Sequence, residues 1–223
     1  MSQSSPVSST ARRGFLGGIA AGAGTLLLGR WSTASAEVAS LAETSVMADE
    51  WISRIKGKYK QVFDVTTANN AFGAAFPLNF INSTKEATNA PDSDITAVAV
   101  FRHFSMPLML NDATWAKYKL GEILDLKDPK TNAHATRNFM KDAIPLHNIS
   151  YVQLAAKSNV ILVACNLALT VISGMAAEKA GVTAQQAKKD FTAGLLPGVS
   201  LAASGVYAVN RAQQAGCTYC YAG

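Results

Sequence analysis

The stretch Asn159-Val160-Ile161-Leu162-Val163-Ala164-Cys165-Asn166-Leu167-Ala168 decides how the rest of the chain is read. Val160 to Ala164 is an unbroken, β-branched-rich apolar run. It is too short for a free-standing helix and lacks alternation, which is the pattern of a strand buried on both faces of a parallel sheet. Asn166 then reads as the N-cap of an alanine- and leucine-rich helix running to about Ala180, with Gly181 as its stop. Cys165 therefore falls between the carboxyl end of a central strand and the amino end of the next helix. In open α/β sheets ligands bind at that level, and the positive end of a helix favours a thiolate. The plain reading beside it is a small buried hydrophobe, as free cysteines often are.

Outward from this stretch, strands and helices alternate. Upstream, Gln61 to Thr66 reads as a first strand and Ile95 to Phe101 as a second, with a helix from Pro77 between them. Asn89 to Asp94 is turn chemistry. Asn111 or Asp112 caps a helix whose Trp115 and Tyr118 point to the core, and the polar stretch 125–143 shows no pattern. Asn148 is expected to cap a helix with Ile149, Val152 and Ala156 inward. Downstream, Thr183 with Gln186 forms a capping box for a helix burying Ala187, Phe191 and Leu195. Val199 to Ala203 is a fourth strand, Val206 to Ala215 a helix, and Cys217 to Tyr221 a short last strand. This order calls for a parallel sheet with right-handed crossovers, an α/β flavodoxin-like sandwich of five mostly parallel strands between helices.

The first residues have a different character. Arg12-Arg13-Gly14-Phe15-Leu16 precedes a glycine-diluted apolar segment, then Arg30 and Ala34-Ser35-Ala36. This resembles a cleaved twin-arginine (Tat) signal over residues 1–36, implying the Tat export machinery as a partner and a periplasmic location. The apolar run falls short of the roughly 20 residues of a spanning helix. Loss of Arg12, Arg13 and Arg30 lowers the net charge from +5 to +2, so the basic balance of the whole chain does not argue for nucleic acid. Residues 37–58 read as an N-terminal helical extension, with Met47, Trp51 and Ile55 on one side and Gly57 at its end. No later stretch is apolar enough to span a membrane.

The blocks Phe101–Glu122 (FRHFSMPLMLNDATWAKYKLGE), Val163–Leu169 (VACNLAL), Leu195–Val199 (LLPGV) and Ser204–Tyr219 (SGVYAVNRAQQAGCTY) together resemble the DsrE/DsrF-like family, in particular its exported branch. The resemblance runs from about Lys60 to the C-terminus and marks 59–223 as a DsrE-like domain. It implies a homo-oligomer and sulfur handling through a persulfide on one cysteine after the third strand, the position that Cys165 matches. It further implies small sulfur species or a sulfur-relay protein as partners. No cofactor and no metal are called for.

The candidate site gathers residues from several strand ends. Cys165 is the candidate nucleophile; His103, Asn166 and Ser204 are the candidate substrate-binding residues. A thiolate needs a base or positive surroundings, which His103 and the helix terminus supply. Arg102 is either an anion ligand or a surface arginine, and His134 and His147 show no ligand spacing. The Ser204-Gly205 amides open a helix and suit a small anion. Cys217-Thr218-Tyr219-Cys220 reads as strand rather than redox pair. Three strand residues span about 10 Å, whereas a disulfide needs Cα atoms within about 7 Å. The chain lacks a phosphate loop, a dinucleotide fingerprint, HExxH and GxSxG. Two functions stand: a sulfur carrier or sulfurtransferase acting through Cys165, and a non-catalytic subunit that binds a small ligand or soft metal, in which Cys165 only packs.

Overall fold

A computed structural model describes residues 49–223; the leader and most of the expected N-terminal extension lie outside the described residues. Five strands form one sheet: β1 (Tyr59–Val65), β2 (Ile95–Phe101), β3 (Val160–Cys165), β4 (Ser200–Ala202) and β5 (Thr218–Tyr221). Their order is β4-β3-β2-β1-β5 and every pairing is parallel. Every residue of β2 and β3 is buried, as an apolar run without alternation requires of central strands.

The helices are α1 (Phe72–Thr88), α2 (Asp112–Lys117), α3 (Leu120–Ile123), α4 (Tyr151–Ala155), α5 (Asn166–Ala180), α6 (Ala184–Ala193) and α7 (Gly205–Gln214). Sheet residues alternate between two cores. Phe63, Ala99, Phe101 and Leu162 face the larger, shared with α1, α4, α5 and α6; Val62, Val100, Ile161 and Val163 face the smaller, closed by Ala208 and Ala212 of α7 and by Trp51. The asymmetry follows from chain order. Stepping from β1 to β4 always moves one way across the sheet, so right-handed crossovers put α1 through α6 on one face. The return from β4 to β5, at the opposite edge, reverses direction and sends α7 to the other. The chain leaving β3 and the chain leaving β4 therefore diverge to opposite faces. The crevice between those two strand ends is where α/β sheets bind ligands.

Several local expectations are corrected. Of the amphipathic helix expected at the start, the described residues form only a short 3₁₀ turn, Glu50–Arg54, that buries Trp51. Tertiary bonds straighten the chain after it: Arg54 donates to the Val160 carbonyl at 2.9 Å and the Lys56 amide to Thr96 Oγ1 at 3.2 Å. The helix expected from Pro77 begins earlier, at Phe72, and keeps Pro77 buried inside it at the expense of one backbone hydrogen bond. The cap of α4 is Ser150, not Asn148. Asn148 has φ of 50°, whereas an N-cap needs extended backbone, which Ser150 adopts. The buried face is accordingly Tyr151, Leu154 and Ala155, with Val152 and Ala156 outside. Thr183 caps α6 through the Gln186 amide, but the Gln186 side chain turns to Asp190, so the box is half made.

Candidate functional site

Cys165 ends β3 and is itself the N-cap of α5, one residue earlier than the expected Asn166. Its Sγ accepts the Ala168 amide at 3.2 Å. Cysteine fills a role usually taken by Ser, Thr, Asp or Asn. Cys165 is 4% exposed and lies against a cleft of about 360 Å³. This cleft sits at the divergence of α5 and α7, between the ends of β3 and β4. Cys165, His103 and Ser204 all line it, so three strand ends converge as the sequence implied. Asn166, the first residue of α5, does not line it.

Ser204 is the N-cap of α7, its Oγ accepting the Tyr207 amide at 3.2 Å. His103 follows β2 with φ of 51°, a left-handed conformation that turns the chain sharply and leaves the ring exposed. Nη1 of Arg102 lies 3.4 Å from both ring nitrogens.

Arg102 is neither a free anion ligand nor a surface arginine. Its Nε donates to Asp64 Oδ1 at 2.6 Å and its Nη2 to Oδ2 at 2.8 Å, a two-pronged ion pair with a carboxylate that is almost wholly buried. The Tyr219 hydroxyl donates to the same Oδ2 at 2.9 Å. Burial pushes the Asp64 carboxyl up, but the hydrogen bonds from Arg102 and Tyr219 outweigh it and hold the group below its ordinary value. The Asp64 bond likewise lifts the Arg102 guanidinium above its own, against the opposing effect of burial. Gly205 makes this possible: a Cβ there would stand 2.5 Å from Arg102 Cβ, so only glycine lets the arginine stem pass under the start of α7. Nothing in the sequence analysis singles out Asp64 or Tyr219 as part of the site. A lone aspartate inside the apolar run Val62-Phe63-Asp64-Val65 is the one signal that points there, since a buried carboxylate needs a partner.

Apart from Arg102, His103, Ser204 and the Cys165 thiol, the residues lining the cleft are apolar or glycine. Phe104, Leu167, Val171, Met175 and Val206 form its walls and rim, and all five remain partly exposed. Leu167, Val171 and Met175 recur every four residues along α5 and make one stripe of that helix.

The other sequence candidates are structural. Trp115 and Tyr118 are core: Trp115 Nε1 donates to the Pro107 carbonyl at 2.8 Å and the Tyr118 hydroxyl to Asp190 at 2.6 Å. Asn111 caps α2, and Asp112 accepts the Asn138 amide. His134 lies 3.1 Å from Asp125, and His147 lies 2.8 Å from Asn79. All three cysteines are free; Cys217 packs in the smaller core and Cys220 against the larger, on opposite faces as the strand spacing requires. Among the described residues no group of three or more His, Cys, Asp or Glu is placed to hold a metal, and no helix is long and apolar enough to cross a membrane.

Compared with protein-family models, curated proteins and solved structures, the chain matches none.

Proposed function

We propose that the protein is a sulfur carrier or sulfurtransferase of the DsrE-like kind, exported by the Tat route, and that Cys165 holds the sulfur as a persulfide. The observation that carries the reading is one thiol at the divergence of α5 and α7, capping a helix and facing the crevice that the topology creates. The Cys165 thiolate attacks the outer sulfur of a donor R–S–S–H. The donor S–S bond breaks, R–S⁻ leaves with the electron pair, and Cys165 becomes a persulfide without any external oxidant. An acceptor thiolate takes that outer sulfur by the same step in reverse. The Ala168 amide and the α5 terminus stabilise the sulfur anion both before loading and on its release. Export and oligomerisation belong to this reading through the sequence resemblance alone.

Incubating the folded protein with a small persulfide donor should add one sulfur mass to a peptide containing Cys165, read by intact and peptide mass spectrometry. Cys165→Ser should not load. The low exposure of the thiol favours a second reading, in which Cys165 only packs and caps while the cleft binds a ligand. Under that reading Cys165 stays unlabelled by a small alkylating reagent until denaturant is added, and sulfur loading fails with it.

A further inference from the structure

The cleft also constrains which sulfur donor it accepts. Its walls are Phe104, Leu167, Val171, Met175 and Val206, and the nearest permanent cation, Arg102, is neutralised by Asp64 at 2.6 and 2.8 Å. Two helix termini meet here, and in principle both attract anions. Each terminus has one first-turn amide already engaged, however: Ala168 N–H on Cys165 Sγ and Tyr207 N–H on Ser204 Oγ. The positive field of α5 therefore serves the thiolate. An anionic donor entering beside that thiolate meets like charge and loses its hydration to apolar walls. An uncharged one meets neither cost and gains apolar contact.

We propose that the cleft selects neutral, apolar sulfur, that is, rings or chains of zero-valent sulfur without ionic ends, over anionic polysulfide. The proposal rests on Cys165 being the sulfur site. In the loading step the Cys165 thiolate attacks one atom of a sulfur ring. One ring S–S bond breaks, one Cys165–S bond forms, and the electron pair moves to the far end of the opened chain. One negative charge is present before and after, and no oxidant is consumed. The new anionic end is free to swing out toward the exposed His103, while the bound sulfur stays on the apolar floor.

The test compares initial loading rates of the full chain with cyclooctasulfur and with sodium tetrasulfide at equal sulfur content, each divided by the rate of glutathione under the same conditions. Cys165 should prefer cyclooctasulfur by about tenfold or more relative to glutathione, the scale of one buried apolar side chain's contact. Met175 is 54% exposed, so Met175→Lys is tolerated by the fold, which a cooperative melt verifies. That variant should lose most of the preference and load tetrasulfide faster. Loading of Cys165 with no preference beyond that of glutathione, or a preference unmoved in Met175→Lys, overturns the selectivity and leaves the persulfide reading intact. Failure of both donors to load Cys165 overturns the persulfide reading and the selectivity together.

Discussion

Serine in place of Cys165 keeps an acceptor for the Ala168 amide, because serine is among the preferred N-cap residues. Cys165→Ser should therefore unfold within a few tenths of a kcal/mol of the parent chain, whereas Cys165→Ala should cost about 1 kcal/mol. Denaturant titration of the pair separates the cap from the chemistry. If serine proved as costly as alanine, capping would not be what the thiol contributes. Asp64 and Arg102 obey a different rule. Removing one member of a buried ion pair leaves the other charge uncompensated. Arg102→Ala should thus destabilise by about 3 kcal/mol, the low end for such pairs because the arginine keeps some contact with water. Equilibrium unfolding checks this; a loss below 1 kcal/mol would mark the pair as an ordinary surface one. The position of Cys165 was legible because a strand end and a helix start are written within a few residues of each other. The Asp64–Arg102–Tyr219 cluster was not: its members lie 38 and 155 residues apart, and nothing local in the sequence joins them.

Helix α4 shows the same division at the level of an element. Its existence was legible, but its cap was not, since Asn148 and Ser150 are both good capping residues by type. The choice was made by backbone: the amides of His147 and Asn148 both bond to the Ile144 carbonyl in a tight turn, which puts Asn148 in left-handed space and leaves Ser150 extended. Shifting the cap by two residues rotates the buried face from Val152 to Tyr151 and Leu154. Ser150 accepts the Gln153 amide while Gln153 Oε1 accepts the Ser150 amide at 2.8 Å, a complete capping box. Ser150→Ala should cost about 1 kcal/mol, and Asn148→Gly, which the left-handed backbone accepts without strain, less. Reversal of that order in thermal unfolding would restore Asn148 as the cap. Helix α1 is longer than its sequence suggests for a related reason. Proline marks a first turn more often than a helix interior, and only packing of Ala74 and Ala75 in the larger core extends α1 upstream of it.

At the scale of the whole molecule, topology and titration are linked, because the two cores bury different groups. The parallel sheet and its flanking helices were legible from alternation alone, but which face each helix covers depends on strand order, which no local pattern contains. One consequence is that Cys217 lies in the smaller core, 6% exposed, and burial pushes its thiol up to about 11. In the unfolded chain a cysteine ionises near 8.5. Between those values the unfolded state has lost a proton that the folded state retains, so stability falls as pH rises across that window. Carboxylates act in the opposite sense. Lys117, Tyr118 and Gln186 hydrogen-bond Asp190 and hold it near 2, and Asp64 and Asp142 are also lowered. Unfolded, they titrate near 3.9. Their contribution is present above that pH and is lost as pH falls through the folded values. The midpoint of thermal unfolding should therefore peak between about pH 5 and 8 and fall on both sides. Cys217→Ala should flatten the fall between about pH 8.5 and 10, before unfolded tyrosines ionise. Asp190→Asn should flatten the fall between about pH 4 and 2, because the amide has no proton to take up. An alkaline limb unchanged in Cys217→Ala would show that this thiol is not held neutral by the smaller core, and the packing assigned to β5 would have to be redrawn.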